Sequence, residues 1–212
     1  YEDENLILCD KPAGMAVQSA RIGQMDLESA LKNELSARTS GHLPYLGVVH
    51  RLDQPVEGLV LFAKDTKTAS ALNSQMAKGE MDKYYLAVTK AEKVPVEGKL
   101  EYWLKKEKGK NYSEVVLPKT EGSKRAILEY KIQKQQADIM LVRIHLVTGR
   151  HHQIRVQMAY AGMPLIGDRK YGLPGKGLGL CAYHLEFTHP VSKRRMSFEI
   201  QPHGEVFQSF FE

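Results

Sequence analysis

Three stretches put reactive side chains on supports stiff enough to use them. The first surrounds Asp53, in Val49-His50-Arg51-Leu52-Asp53-Gln54-Pro55-Val56-Glu57-Gly58. Short apolar runs lie on either side, Val48-Val49 before and Leu59 to Ala63 after, so the acid falls on a turn between two core strands. Pro55 fixes its own φ and biases Gln54 towards an extended conformation, while Gly58 permits a sharp re-entry into the next strand. A carboxylate held that way can serve as nucleophile or general base; the competing reading is a turn Asp bonded to its own backbone. The second stretch carries Tyr84 and Tyr85, which as strand neighbours must face opposite sides of a sheet, one inward and one outward. A strand tyrosine by itself is packing material more often than chemistry. In the third, Thr148 to Arg155, the side chains of His151, His152 and Arg155 cluster near a helix start and add positive charge to a positive dipole end, which calls for an anion close by. Taken alone, these three read as an exposed helix face.

The elements that must position these groups follow from punctuation and period. An acidic lead from Tyr1 to Asn5 precedes a strand from Leu6, a turn at Pro12 and Gly14, and a second strand to Val17. Asp26 caps a helix with Leu27, Leu31 and Leu35 on one face, running to about Arg38. Thr39 to Tyr45 form a loop into the strand before His50. Asp65 or Thr66 caps a second helix, with Ala69, Leu72 and Met76 at helical spacing and Gly79 as its stop. Met81 to Val88 make the tyrosine-bearing strand. Turns at Pro95, Gly98, Gly109, Pro118 and Gly122 separate the short strands Leu100–Leu104 and Ala126–Ile132, a β-rich insertion with a basic rim. Ile139 to Val147 form another strand. Thr148-Gly149 open a helix through Ala161, closed by Gly162, with Ile154, Met158 and Ala161 as its buried stripe. Met196 to Ile200 alternate as a final strand, and a short helix or coil ends the chain.

Composition narrows the function classes. The 212 residues, 42% hydrophobic, suffice for one substantial core, read as a single domain over 1–212. The longest apolar run, Leu59 to Ala63, is too short to span a bilayer, and the N-terminus lacks a signal-peptide pattern, so a soluble, cytoplasmic protein without membrane association is expected. The chain opens at Tyr1 rather than Met, which leaves a preceding residue or segment open. Cys9 and Cys181 cannot build a disulfide framework or a metal knuckle, and both are expected as buried free thiols. A net charge of +5 suits a polyanionic partner without proving one. Its distribution says more: Lys105-Lys106-Lys108-Lys110, Lys119-Lys124-Arg125 and Lys193-Arg194-Arg195 each read as a loop or strand end beside an aromatic or a proline. Converging, they would form a track for phosphates; otherwise they are solvated faces.

Together these stretches resemble the RluA-type pseudouridine synthases. His50-Arg51-Leu52-Asp53, Gly58 and Ala63-Lys64 match the family signature, with Val56-Glu57 where the family usually has Thr-Ser. Lys83, Tyr85 and Ala87 match its Lys-x-Tyr-x-Ala. Thr148-Gly149-Arg150 and His152-Gln153-Ile154-Arg155-Val156 match its third motif in full, with Pro164 and Gly167-Asp168 through Tyr171-Gly172 following as in relatives. The Lys11-Pro12-Ala13-Gly14 opening is similar too, as is the run from Leu180 to His189-Pro190, where Cys181 replaces the usual His. An S4-like RNA-binding domain is not read in these residues.

The resemblance implies an α+β fold with a mixed, mostly antiparallel central sheet, helices packed on it and an active-site cleft. It implies an RNA uridine isomerase needing no cofactor and no metal, acting as a monomer on ribosomal or transfer RNA whose target nucleotide is flipped out. Asp53 would be the catalytic carboxylate, Arg155 its charge partner, and Tyr85 the ring stacked on the uracil. Leu180 would line the uracil pocket, and His50, Arg51, Arg150, His152 and Gln153 would bind substrate. A catalytically silent RNA-binding protein is the alternative, motivated by Glu57 and Cys181. A metal hydrolase using His50, His151, His152, His184 and His189 is disfavoured, because adjacent histidines do not readily face one ion and no carboxylate or thiolate cluster stands at ligand spacing.

Overall fold

The computed structural model describes residues 1–19, 23–38 and 43–211, so Thr39 to His42 of the expected loop lie outside the described residues. In chain order the elements are β1 (Leu6–Lys11), α1 (Leu27–Arg38), β2 (Gly47–Val48), β3 (Glu57–Ala63), α2 (Thr66–Lys78), β4 (Asp82–Lys90), β5 (Glu97–Lys106), β6 (Ser113–Val116), β7 (Lys124–Gln136), β8 (Ile139–His145), α3 (Gln153–Tyr160), β9 (Leu180–Thr188), β10 (Arg195–Glu199) and α4 (Glu205–Gln208). They divide between two compact units, Tyr1–Met81 with Ala182–Gln201, and Asp82–Cys181 with Pro202–Glu212.

In the first unit β3 is the central strand. Every residue from Glu57 to Ala63 is buried, as an uninterrupted apolar run demands of a strand covered on both faces. β1 lies antiparallel to it, Leu6 opposite Ala63 and Lys11 opposite Gly58. β2 pairs with its far end and β10 runs antiparallel to β9. Leu8, Leu61, Leu72, Leu185 and Phe187 form the core, to which α2 contributes Ala69 and Leu72. The caps are those expected. Asp26 accepts the Ser29 amide at 2.8 Å, Asp65 accepts the Thr68 amide at 2.8 Å, and Gly79 ends α2 with φ +72°. The expected strand to Val17 does not form. The carbonyls of Ala16 and Val17 instead accept the amides of Leu27 and Glu28, satisfying orphan donors at the start of α1. Cys181 is a buried free thiol, but Cys9 is only half-buried.

In the second unit the strands run β4-β8-β7-β5-β6, each pair antiparallel, with a bulge between Ile132 and Lys134. Tyr85, Ile144 and Tyr130 stand in one register row, all buried. Tyr84, on the other side of its strand, is half-exposed and stacks on His145. The basic runs fall at strand ends, one of the two settings expected: Lys105 and Lys106 end β5, and Lys124 and Arg125 begin β7. α3 differs from expectation twice. It starts at Gln153, because His152 adopts φ +54° and ends the turn before it. It also has no exposed motif face, since every residue from Gln153 to Met158 is buried, Arg155 included. α4 is the short C-terminal helix, anchored by buried Phe207 and Phe210. No helix of the described residues is long and apolar enough to cross a membrane.

Candidate active-site residues

Asp53, His50 and Arg51 share one turn of the first unit, and the chain pins that turn from several directions. The Val56 amide donates to Asp53 O at 3.0 Å, closing it. Gly14 N donates to Gln54 O at 2.8 Å, and Gln54 Nε2 returns a bond to Gly14 O at 2.9 Å. Lys11 is fully buried, and its ammonium donates to the carbonyls of Pro12 (2.9 Å), Met15 (2.7 Å) and Gln54 (3.3 Å). Burial pulls its pKa down to about 8, against the carboxylates of Asp53 and Glu57, which hold it up. Glu57, where the family pattern has a hydroxyl, is itself buried. Gly58 has φ +121°, and a Cβ there would lie 2.4 Å from Ala182 O, so only glycine fits. His50 is partly spoken for as a brace, its Nε2 accepting the Leu61 amide at 3.3 Å. Half-buried Asp53 thus sits on a turn whose backbone has little freedom.

Tyr85, Arg150, His152, Gln153, Arg155 and Leu180 belong to the second unit. Gln153 organises the motif loop. Its Oε1 accepts the Arg150 amide (2.9 Å) and the Thr148 hydroxyl (2.8 Å), while its Nε2 donates to Ile127 O (3.0 Å). Both ends of this buried amide are thereby used in holding the loop. Arg150 is exposed and donates from Nε to Arg125 O at 3.0 Å. Arg155 makes a two-pronged pair with Asp168, Nε to Oδ2 at 2.8 Å and Nη2 to Oδ1 at 2.7 Å, with both side chains buried. Burial works to raise the Asp168 carboxyl, but the bonds from Arg155 and from the Lys170 and Tyr171 amides outweigh it, and its pKa lies below the usual range. His152 Nδ1 meets the Tyr171 hydroxyl at 2.7 Å. His151, its ring stacked on His152 at 3.8 Å, lies between Ser113 Oγ (2.7 Å) and Asn111 Oδ1 (3.0 Å). Leu180 is buried at the start of β9. Among the described residues no group of three or more His, Cys, Asp or Glu is gathered as a metal site.

Sequence reasoning named every motif but missed Lys11, Asp168 and Tyr171 as parts of the sites. Each stands inside a matched motif, where a charged or phenolic side chain between glycines or prolines was the available signal.

The model of the family described as RNA pseudouridylate synthase matches residues 5–160. The chain belongs to this family. It is 34% identical to ribosomal large subunit pseudouridine synthase D of Neisseria meningitidis over 98% of its own length, and spans 58% of that protein. It is 31% identical to an uncharacterized RNA pseudouridine synthase of Aquifex aeolicus over its whole length, covering 71% of that protein. Human RNA pseudouridylate synthase domain containing 4 has the same fold, with a TM-score of 0.78 at 22% identity, over 96% of this chain and 88% of that one. The α+β fold with a mostly antiparallel sheet is therefore that of the pseudouridylate synthases. Within the family pattern, this chain departs at Val56, Glu57 and Cys181, all buried.

Proposed function

We propose that this chain is an RNA pseudouridine synthase that isomerises uridines with Asp53 as its catalytic carboxylate. The observation that carries the proposal is the Asp53 turn, in the family signature and clamped by Lys11, Gly14, Val56 and Gly58. A nucleophile or base needs that pre-organisation. The reaction breaks the bond from uracil N1 to C1′ and makes one from C5 to C1′; C5 loses a proton, N1 gains one, and no electron or water is exchanged. Asp53 adds to the base or sugar or withdraws a ribose proton. Arg155 acts as its charge partner. Tyr85 stacks on the detached uracil and receives the C5 proton, with Leu180 against the ring. His50, Arg51, Arg150 and His152 contact the RNA. Flipping the nucleotide costs a few kcal/mol, which phosphate contacts along the basic runs offset.

The enzyme works as a cytoplasmic monomer, without cofactor or metal, on ribosomal or transfer RNA. The Neisseria relative's name makes large-subunit ribosomal RNA the first substrate to try. Asp53→Asn is expected to lower tritium release from 5-tritiated uridine in RNA by roughly a thousandfold or more, with RNA binding retained. Unchanged turnover would refute the assignment of Asp53, and absence of release by the unaltered chain would favour a silent RNA-binding protein.

A further inference from the structure

We infer that Asp168 and Tyr171 are positioning residues of the site, Asp168 fixing the plane of the Arg155 guanidinium and Tyr171 holding His152 with its ring proton on Nε2. The inference deepens the function proposed above and rests on it.

Asp168 is 1% exposed, and its two oxygens match the Arg155 fork. Oδ1 also accepts the amides of Lys170 at 3.0 Å and Tyr171 at 3.2 Å, so the carboxylate cannot turn without breaking four bonds. It arrives on a backbone folded tightly on itself. A Cβ on Gly167 would lie 1.6 Å from Gly177 O, and one on Gly172 would lie 2.3 Å from Leu165 O. Asp168 therefore holds Arg155 from a loop that has no room to shift.

Tyr171 closes the other half. Its oxygen accepts the Ser113 amide at 2.8 Å and lies 2.7 Å from His152 Nδ1. The phenol has one hydrogen to give and the amide cannot receive it, so of these two partners Nδ1 is the one able to accept, and we assign it that role. A nitrogen that accepts carries no proton, so the imidazole is neutral with its hydrogen on Nε2. Burial raises the Tyr171 phenol to about 12, which keeps it a donor across the neutral range. The Arg155 guanidinium lies 5.2 Å from the Tyr171 ring centroid, so the two positioned groups share a wall. His152 pays for its place with a left-handed backbone at φ +54°, a conformation that persists only when the surroundings over-determine it. Packing alone accounts for a buried Asp168. It does not account for a phenolic oxygen shared between the Ser113 amide and a left-handed histidine of the motif loop.

The test uses the protein labelled with nitrogen-15 in histidine and arginine. In the unaltered chain, long-range proton–nitrogen spectra near neutral pH should show His152 neutral and protonated on Nε2. Tyr171→Phe should mix the two tautomers and lower kcat in the tritium assay, leaving KM for RNA little changed. Asp168→Asn should shift the Arg155 Nε signal and lower kcat about a hundredfold, again with little change in KM. A His152 protonated on Nδ1 in the unaltered chain, or a Tyr171→Phe variant matching it in spectra and kcat, would overturn the Tyr171 assignment. A folded Asp168→Asn variant with undiminished kcat would overturn that of Asp168. If Asp168→Asn does not fold, Asp168→Glu, which keeps the charge but displaces it, replaces it with the same expectations. Should the unaltered chain release no tritium from any RNA, the function reading falls, and the nitrogen spectra still decide the positioning.

Discussion

Lys11 keeps its charge against full burial. Its pKa of about 8 lies below the 10.5 of a free lysine, so between those values the unfolded chain holds a proton that the folded chain has shed. Stability attributable to this group accordingly rises with pH across that window and is flat below it. Glu57 and Asp53 both hold the ammonium up, which fixes the sign of a substitution. Glu57→Ser, restoring the family's usual residue, should push the Lys11 pKa further below 8, move the window of rising stability to lower pH, and leave pseudouridine formation intact. Nitrogen titration of Lys11 alongside denaturant unfolding from pH 7 to 10 checks this; an upward shift would show that Glu57 does not act on Lys11 by charge. Lys11→Met should destabilise by about 1–3 kcal/mol, because the carbonyls of Pro12, Met15 and Gln54 lose their shared donor.

At the scale of the element, what was legible in the sequence was what local chemistry decides. α1 and α2 were readable from Asp26, Asp65 and Gly79 because a cap and its amide lie within three residues of each other. β3 was readable because five consecutive apolar residues have no other stable place. α3 was misread because its start depends on a left-handed His152 and on Gln153 reaching Ile127, twenty-six residues away. Ala16 and Val17 were misread for a related reason: their carbonyls are claimed by α1 rather than by a neighbouring strand. Asp53, Tyr85 and Arg155 could be named from motifs, yet the supports of Arg155 and His152 come from the loop at 167–172, which carries no period to read. The turn into β3 gives a prediction of its own. Gly58→Ala must bring a methyl against Ala182 O at a backbone angle that an L residue rarely adopts, and should cost about 3 kcal/mol or more. A thermal midpoint within a degree or two of the unaltered chain would mean that β9 yields at that point.

For the molecule as a whole, the net charge of +5 sets a measurable expectation. RNA affinity should fall linearly on a log–log plot against salt, and each lysine that meets a phosphate contributes about 0.7 to the slope on a single strand. Lys106→Gln and Lys108→Gln, at the β5–β6 turn, should each reduce that slope; a slope unchanged in both would remove this turn from the RNA path.

The division of the chain matters in time as well as in space. The first unit is assembled from Tyr1–Met81 and from Ala182–Gln201, so its second segment leaves the ribosome only after Asp82–Cys181 of the second unit has been made. Until then β3 lacks a neighbour that its apolar faces require, and the Asp53 turn stands beside an unfinished sheet. A nascent chain stalled between residues 156 and 181 would carry Asp53, Tyr85 and Arg155 and still leave β3, its longest apolar run, open to chaperones and to other unfinished chains. Folding of the first unit is thus gated by the arrival of Ala182–Gln201.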